Sequence, residues 1–117
     1  MGEGYVLSLI CPEDFQDVFD LGLQMHGEGA FRPLDYDRDR VFRFLQQYVD
    51  NPDINFGIVG RRDGALCGFF MGYVSPYFFG RDLIATEVLW YVAPADRGSR
   101  LGVRLLRSFE SWSRLSG

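Results

Sequence analysis

The stretch LIATEVLWYVAPADRGSRLG, residues 83–102, decides the fold of this chain. Its first ten residues, 83–92, are mostly aliphatic or aromatic, and Pro94 follows them closely. This part is therefore predicted to be a strand that ends before the proline. A helix is predicted over residues 99–115, because apolar side chains recur there at near-helical spacing. These side chains are Leu101, Leu105, Phe109 and Trp112.

The loop between this strand and this helix has the composition of an anion site. The first turn of a helix offers free backbone N–H groups at the positive end of the helix dipole. Arg97 and Arg100 add positive charge and forked donors suited to phosphate, while Gly98 and Gly102 allow a ligand to approach the backbone closely. The residues alone therefore predict a phosphate or pyrophosphate site and leave its ligand open.

Upstream of this stretch, the pattern predicts three further strands and two helices. The strands occupy residues 5–10, 55–61 and 66–74, and the helices begin near Pro12 and Asp37. The predicted buried faces of these helices are Phe15, Val18, Phe19 and Leu23 in the first and Val41, Phe44, Leu45 and Tyr48 in the second.

The order of elements is therefore β-α-α-β-β-β-α. Asp63-Gly64 is a hairpin turn signal, and short connections between consecutive strands produce antiparallel sheets. We expect an α/β (α+β) fold in which a mostly antiparallel sheet of about four strands is covered by three helices. A chain of 117 residues is the size of one domain, so a single domain over 1–117 is expected.

The charge distribution limits the classes of ligand. All 12 basic residues are arginine, so a Schiff-base lysine and a Walker-type phosphate lysine are excluded. Residues 1–96 carry 15 acidic side chains and 7 arginines, whereas residues 97–117 carry 5 arginines and one glutamate. An acidic body with a basic end argues against nucleic acid as the main ligand and favours a local anion site.

The cellular setting is predicted from what the sequence lacks. The longest uncharged run, residues 64–80, is shorter than a membrane span, and the first residues have no pattern of a signal peptide. Two cysteines and one histidine do not form a disulfide framework or a standard zinc site. A cytoplasmic protein without membrane contact or metal is therefore expected.

The element order together with residues 91–102 resembles the GNAT superfamily of acyl-CoA-dependent N-acyltransferases. The family pattern is a strand ending in aromatic-Val-x-Pro, then Arg/Gln-x-x-Gly-x-Gly/Ala, then a helix. Here YVAP occupies residues 91–94, and RGSRLG occupies residues 97–102. The sequence departs from the pattern at Arg100, which stands where the first glycine usually is. The resemblance covers almost the whole chain.

This resemblance implies acetyl-CoA or another acyl-CoA as co-substrate, with no metal. It implies that the backbone of Tyr91 and Val92 holds the pantetheine arm. The pyrophosphate would be held by Arg97, Gly98, Ser99, Arg100, Leu101 and Gly102.

Catalytic candidates also follow from the resemblance. Glu87 is the only charged residue between Leu83 and Ala95 and stands at about the position of a glutamate base that acts through water in many family members. The alternative for Glu87 is a solvated or arginine-paired carboxylate at an edge. A backbone N–H near Val92 could polarise the thioester carbonyl, and Tyr73 and Tyr77 are conceivable proton donors to the thiolate.

Two further features are open to more than one interpretation. His26 falls in a region that shapes the acceptor pocket in the family, but a lone loop histidine favours a plain surface residue. The aromatic run of Tyr73, Tyr77, Phe78 and Phe79 favours core and hairpin packing, with an exposed hydrophobic patch at its tip as the alternative. Cys67 lacks an identifiable base, so a cysteine nucleophile is not expected.

In the family, further strands and a helix follow the third helix, so a GNAT-like domain that ends at Gly117 is expected to be C-terminally shortened. The free edge of its fourth strand would then favour a homodimer or a protein partner. The predicted function is acetyl-CoA-dependent N-acyl transfer to an amine of a small molecule or protein. The alternatives are a catalytically reduced binding module that modulates a partner protein, even a host protein, and a chain that binds CoA without transfer.

Overall fold

The computed structural model describes residues 4–116 and contains one four-stranded sheet with three α-helices. The strands are β1 (Val6–Leu9), β2 (Asn55–Arg62), β3 (Ala65–Pro76) and β4 (Leu83–Val92). The helices are α1 (Phe15–Glu28), α2 (Arg38–Asp50) and α3 (Leu101–Ser116), with short 3₁₀ turns at Pro12–Asp14 and Pro94–Asp96. Neighbouring strands are antiparallel in the order β1-β2-β3-β4, which confirms the predicted fold class. The predicted domain of 1–117 includes residues 1–3 and 117, which lie outside the described residues.

The sheet separates two apolar clusters. Phe69 and Met71 pack into the cluster with α1 and α2, whereas Phe70 packs into the cluster with Leu101 and Leu105 of α3. All five side chains are fully buried. Because successive strand residues point to opposite faces, the uninterrupted apolar run of β3 reflects a strand covered on both sides. Each buried phenylalanine contributes about 2–3 kcal/mol of hydrophobic stabilisation.

Local signals explain most of the element boundaries. Asp63 and Gly64 both have positive φ, 52° and 82°, as the tight turn between β2 and β3 requires. The Asp37 carboxylate accepts a hydrogen bond from the Arg40 N–H at 2.9 Å and caps α2.

The buried face of α1 differs from the prediction at one position. Leu23 is 51% exposed, whereas Leu21 and Gly22 are buried. A Cβ on Gly22 would clash with the Tyr36 hydroxyl, so the segment before α2 covers this side of the helix. The spacing of apolar residues within α1 alone does not predict which face of the helix this segment covers.

The hairpin between β3 and β4 also differs from the favoured interpretation. Phe78 is 90% exposed and Phe79 is 88% exposed, so they form a surface patch rather than core. The last strand pair is Pro76↔Leu83, and both phenylalanines lie in the connection beyond it. Their ring contacts are with each other and with Tyr77.

Candidate functional site

The corner between β4 and α3 is held by a buried carboxylate. Asp96 is 7% exposed and accepts hydrogen bonds from the Tyr5 hydroxyl at 2.7 Å and from Arg62 Nη2 at 3.1 Å. The Ser99 hydroxyl donates to the Asp96 carbonyl at 2.6 Å and accepts from the Leu101 N–H at 3.2 Å. Gly98 has a φ of +90°, which favours glycine. These bonds anchor the loop before the helix.

The first turn of α3 leaves backbone donors available. Among residues 4–116, the N–H groups of Gly102 and Val103 have no acceptor, as expected at a helix start. A Cβ on Gly102 would meet Val92 Cγ2 at an ordinary distance of 3.6 Å, so the end of β4 lies against this turn. Orphan donors at a positive helix end fit the oxygens of a phosphate or pyrophosphate group.

Arg97 is engaged elsewhere in the fold. Its Nη2 donates to Glu28 Oε1 at 2.9 Å, and its Nε donates to the Val92 carbonyl at 3.0 Å. Its guanidinium lies 5.1 Å from the centre of the Tyr91 ring, and the Tyr91 hydroxyl donates to Glu28 Oε2 at 2.6 Å. Glu28, Tyr91 and Arg97 therefore form a three-residue network, the Glu28 network, that joins the end of α1 to the loop.

Electrostatics within the Glu28 network favours the ionised carboxylate. The hydrogen bonds from Tyr91 and then Arg97 lower the pKa of Glu28. Burial and then the bond to Glu28 raise the pKa of Tyr91, so its hydroxyl stays protonated as a donor. Sequence reasoning missed Glu28, because it lies 69 residues from Arg97 and no local motif marks it.

Glu87 lies at an irregularity of the edge strand. Met71 pairs with Leu89 and Gly72 pairs with Glu87, so Val88 is an extra residue in β4. A Cβ on Gly72 would contact Phe109 of α3, and cross-strand partners share a face. The register therefore assigns exposed Glu87 to the α3 side of the sheet and Leu89 to the opposite side.

The structure does not bring the candidate proton donors together with the loop. Tyr73 pairs with Thr86 in the sheet, and Tyr77 is 44% exposed at the start of the hairpin connection. Within residues 4–116 there is also no group of three or more His, Cys, Asp or Glu side chains that could hold a metal.

A cavity of about 500 Å³ lies between α1, α2, their connection and the sheet. The helices contribute Val18, Gly22, Met25, Val41, Phe44 and Leu45 to its walls, and the connection and sheet contribute Phe31, Phe69 and Leu89. The polar lining residues are His26, Asp35, Tyr36, Asp37 and Arg40. Its volume is in the range of small-molecule sites.

His26 is not the plain surface residue that the sequence favours. It lies in α1 rather than in a loop, is half-buried and lines this cavity. Its Nε2 is 2.8 Å from the Leu34 carbonyl, and its ring centre is 5.1 Å from that of Tyr36. It thereby fixes the connection between α1 and α2 that closes the cavity.

The donors at the start of α3 that have no acceptor within residues 4–116 and the ligand-sized cavity therefore both lie next to β4. No family model matches the sequence, and no curated protein matches it. Comparison with solved structures, however, finds extensive likeness.

Three solved structures match this chain over nearly its whole length. Glucosamine-6-phosphate N-acetyltransferase from Arabidopsis thaliana matches with a TM-score of 0.78 and 13% identity, over 98% of this chain and 78% of that one. A GCN5-related N-acetyltransferase from Ralstonia eutropha JMP134 gives 0.72 and 19%, over 92% and 74%. Ribosomal-protein-alanine N-acetyltransferase from Brucella melitensis biovar Abortus 2308 gives 0.73 and 20%, over 96% and 73%. The chain therefore has the GNAT fold, which confirms the fold that the resemblance predicted.

Within residues 4–116, no helix has both the length and the apolar character needed to span a bilayer.

Proposed function

We propose that this chain is an acyl-CoA-dependent N-acyltransferase that transfers an acetyl or related acyl group to an amine of a small molecule or protein. The observation that carries the proposal is the position of β4 between two sites. Leu89 lines the cavity, and Val92, three residues later, contacts the first turn of α3. A donor held at the helix start and an acceptor held in the cavity would meet along this strand. The shared fold with N-acetyltransferases supports the same assignment.

The residues of the corner fit a CoA-type ligand. The N–H groups of Gly102 and Val103, with Arg100 in the preceding loop, would receive the pyrophosphate. The backbone of Tyr91 and Val92 would hold the pantetheine arm. Because Arg97 already donates to the Val92 carbonyl, a ligand that donates to this carbonyl would compete with Arg97.

Acyl-CoA supplies the acyl group as an activated thioester. In the transfer, a C–N bond forms while the C–S bond breaks, the amine gives up one proton, and the sulfur gains one. Glu87 is the candidate to accept the proton. Because Glu87 lies on the α3 face of β4 and the cavity lies on the other face, the proton would have to reach Glu87 through water around the edge of this strand. Backbone N–H groups near Val92 would polarise the carbonyl.

Calorimetric titration of the folded chain with acetyl-CoA tests the anion site. We expect saturable binding that weakens about 10-fold in Arg100→Ala, because a hydrogen bond between charged groups contributes about 1.5 kcal/mol or more. Arg107→Ala is the matched control, because Arg107 is an exposed arginine farther along the chain, within α3. Absence of binding at millimolar acetyl-CoA would overturn the proposed function.

A second pair of variants separates the binding of acetyl-CoA from the catalysis of acyl transfer. Glu87→Gln should keep the affinity for acetyl-CoA and lower kcat by about 100-fold, the lower range of general-base effects. Glu110→Gln, an exposed carboxylate on α3, is the control. Unchanged kcat in Glu87→Gln would remove Glu87 from the mechanism and leave the anion site standing.

A further inference from the structure

The walls of the cavity favour an apolar body in its ligand. Eight of the fourteen lining residues are valine, leucine, methionine or phenylalanine. The sheet contributes only Phe69 and Leu89, and α2 contributes Val41, Phe44 and Leu45. A sugar or sugar phosphate placed against these side chains would lose hydration without gaining hydrogen bonds.

Most polar groups of the lining are already occupied. The Tyr36 hydroxyl donates to the Phe19 carbonyl at 3.0 Å, and its pKa is raised to about 12 chiefly by burial. The His26 ring contacts the Leu34 carbonyl, and the Asp37 carboxylate caps α2. Among residues 4–116, the Asp35 carboxylate has no hydrogen-bond or ion-pair partner within the protein. Asp35 is thus the carboxylate of the lining that is available to a ligand.

The charge of the lining favours a cation. The lining holds two carboxylates, Asp35 and Asp37, and one guanidinium, Arg40, which gives a formal charge of −1 when His26 is counted as neutral. An amine in its ammonium form is attracted to such a site, whereas a phosphate-bearing amine meets more negative than positive charge.

From these observations, and resting on the proposed N-acyltransferase function, we propose that the acceptor is a small primary amine with an aryl or alkyl body. Asp35 receives its ammonium group on entry, and the apolar walls enclose its body. The ammonium loses its proton before transfer, as the proposed reaction requires. Asp35 is therefore a specificity residue for the amine and does not contact the acyl donor.

Direct titration with 2-phenylethylamine, in the absence and presence of CoA, tests this assignment independently of turnover. A ligand of this size in an apolar cavity is expected to bind with a Kd on the order of 1 mM. Asp35→Asn should weaken binding about 2- to 5-fold, the range of a solvent-accessible ion pair. Asp39→Asn is the matched control, because Asp39 is an exposed carboxylate of the same region that does not line the cavity.

The outcomes are distinct. Saturable binding of 2-phenylethylamine that is weakened by Asp35→Asn and unaffected by Asp39→Asn would support the proposal. Absence of amine binding, an Asp35→Asn affinity equal to that of the parent, or tighter binding of glucosamine 6-phosphate or of an alanine-initiated peptide would overturn it. Failure of acetyl-CoA to bind in the separate titration would overturn the proposed function and leave the amine result intact.

Discussion

At the scale of single residues, Arg97 shows that a sequence motif does not by itself determine what its side chains bind. Arg97 occupies the first position of the RGSRLG loop, yet its guanidinium is bound to Glu28 and to the Val92 carbonyl. In the first turn of α3, the N–H groups of Gly102 and Val103 have no acceptor within residues 4–116. Arg100 lies in the loop just before this turn. If the proposed phosphate site is correct, the Glu28 network competes with the phosphate for Arg97.

Glu28→Gln is therefore expected to tighten acetyl-CoA binding about 2- to 5-fold, because it removes a competing solvent-accessible charge from Arg97. Calorimetric titration of this variant measures the effect, and Glu110→Gln serves as the control. Weaker binding in Glu28→Gln would instead mean that Glu28 positions Arg97 for the ligand.

At the scale of elements, Asp14 determines how α1 is attached to the sheet. Its side chain is 9% exposed and accepts hydrogen bonds from Arg61 Nη2 of β2 at 2.7 Å and from the Cys11 N–H at 3.0 Å. Since α1 forms one wall of the cavity, these bonds also orient the candidate acceptor site. Arg61 makes a second ion pair with Asp17, at 2.9 Å.

Asp14→Asn should lower the free energy of unfolding by about 2 kcal/mol at neutral pH, the range of hydrogen bonds to charged groups. Asp20→Asn, an exposed carboxylate on α1, should change it by less than about 0.5 kcal/mol. Urea denaturation measures both variants, and equal effects would contradict the role of Asp14.

The same carboxylate predicts a pH dependence with a defined sign. Burial acts to raise the pKa of Asp14, but the bonds from Arg61 and from Cys11 outweigh it, so the pKa lies below its ordinary value of 3.8. The stabilisation is therefore present above about pH 4 and is lost as the pH falls through the lowered pKa. Below that range, the parent and Asp14→Asn should converge in stability.

At the scale of the whole molecule, β4 is an edge strand of ten residues with one charge. Ile84, Val88 and Trp90 are between 36% and 41% exposed along it. Long apolar edges with unpaired backbone groups pair with other strands. The homodimer or strand partner expected from the sequence stays a prediction for this edge.

Sedimentation at increasing protein concentration tests self-association through β4. We expect a dimer whose dissociation constant rises at least 10-fold in Val88→Lys, because a lysine on an edge opposes strand pairing. Leu23→Lys, at an exposed site on α1, is the control for added charge. A monomer at all concentrations, or dimers equally strong in both variants, would contradict pairing through this edge.

By itself, the sequence determined the order of elements, the antiparallel sheet, the Asp63-Gly64 turn and the strand–loop–helix corner. Periodicity, turn residues and helix caps are local signals, and they act over a few neighbouring positions. Only the tertiary structure decided that Arg97 binds Glu28, that half-buried His26 lines a cavity, and that Val88 shifts Glu87 to the α3 side. These outcomes depend on contacts between distant segments and on strand register, because packing of whole elements selects among side-chain positions that local patterns leave equivalent.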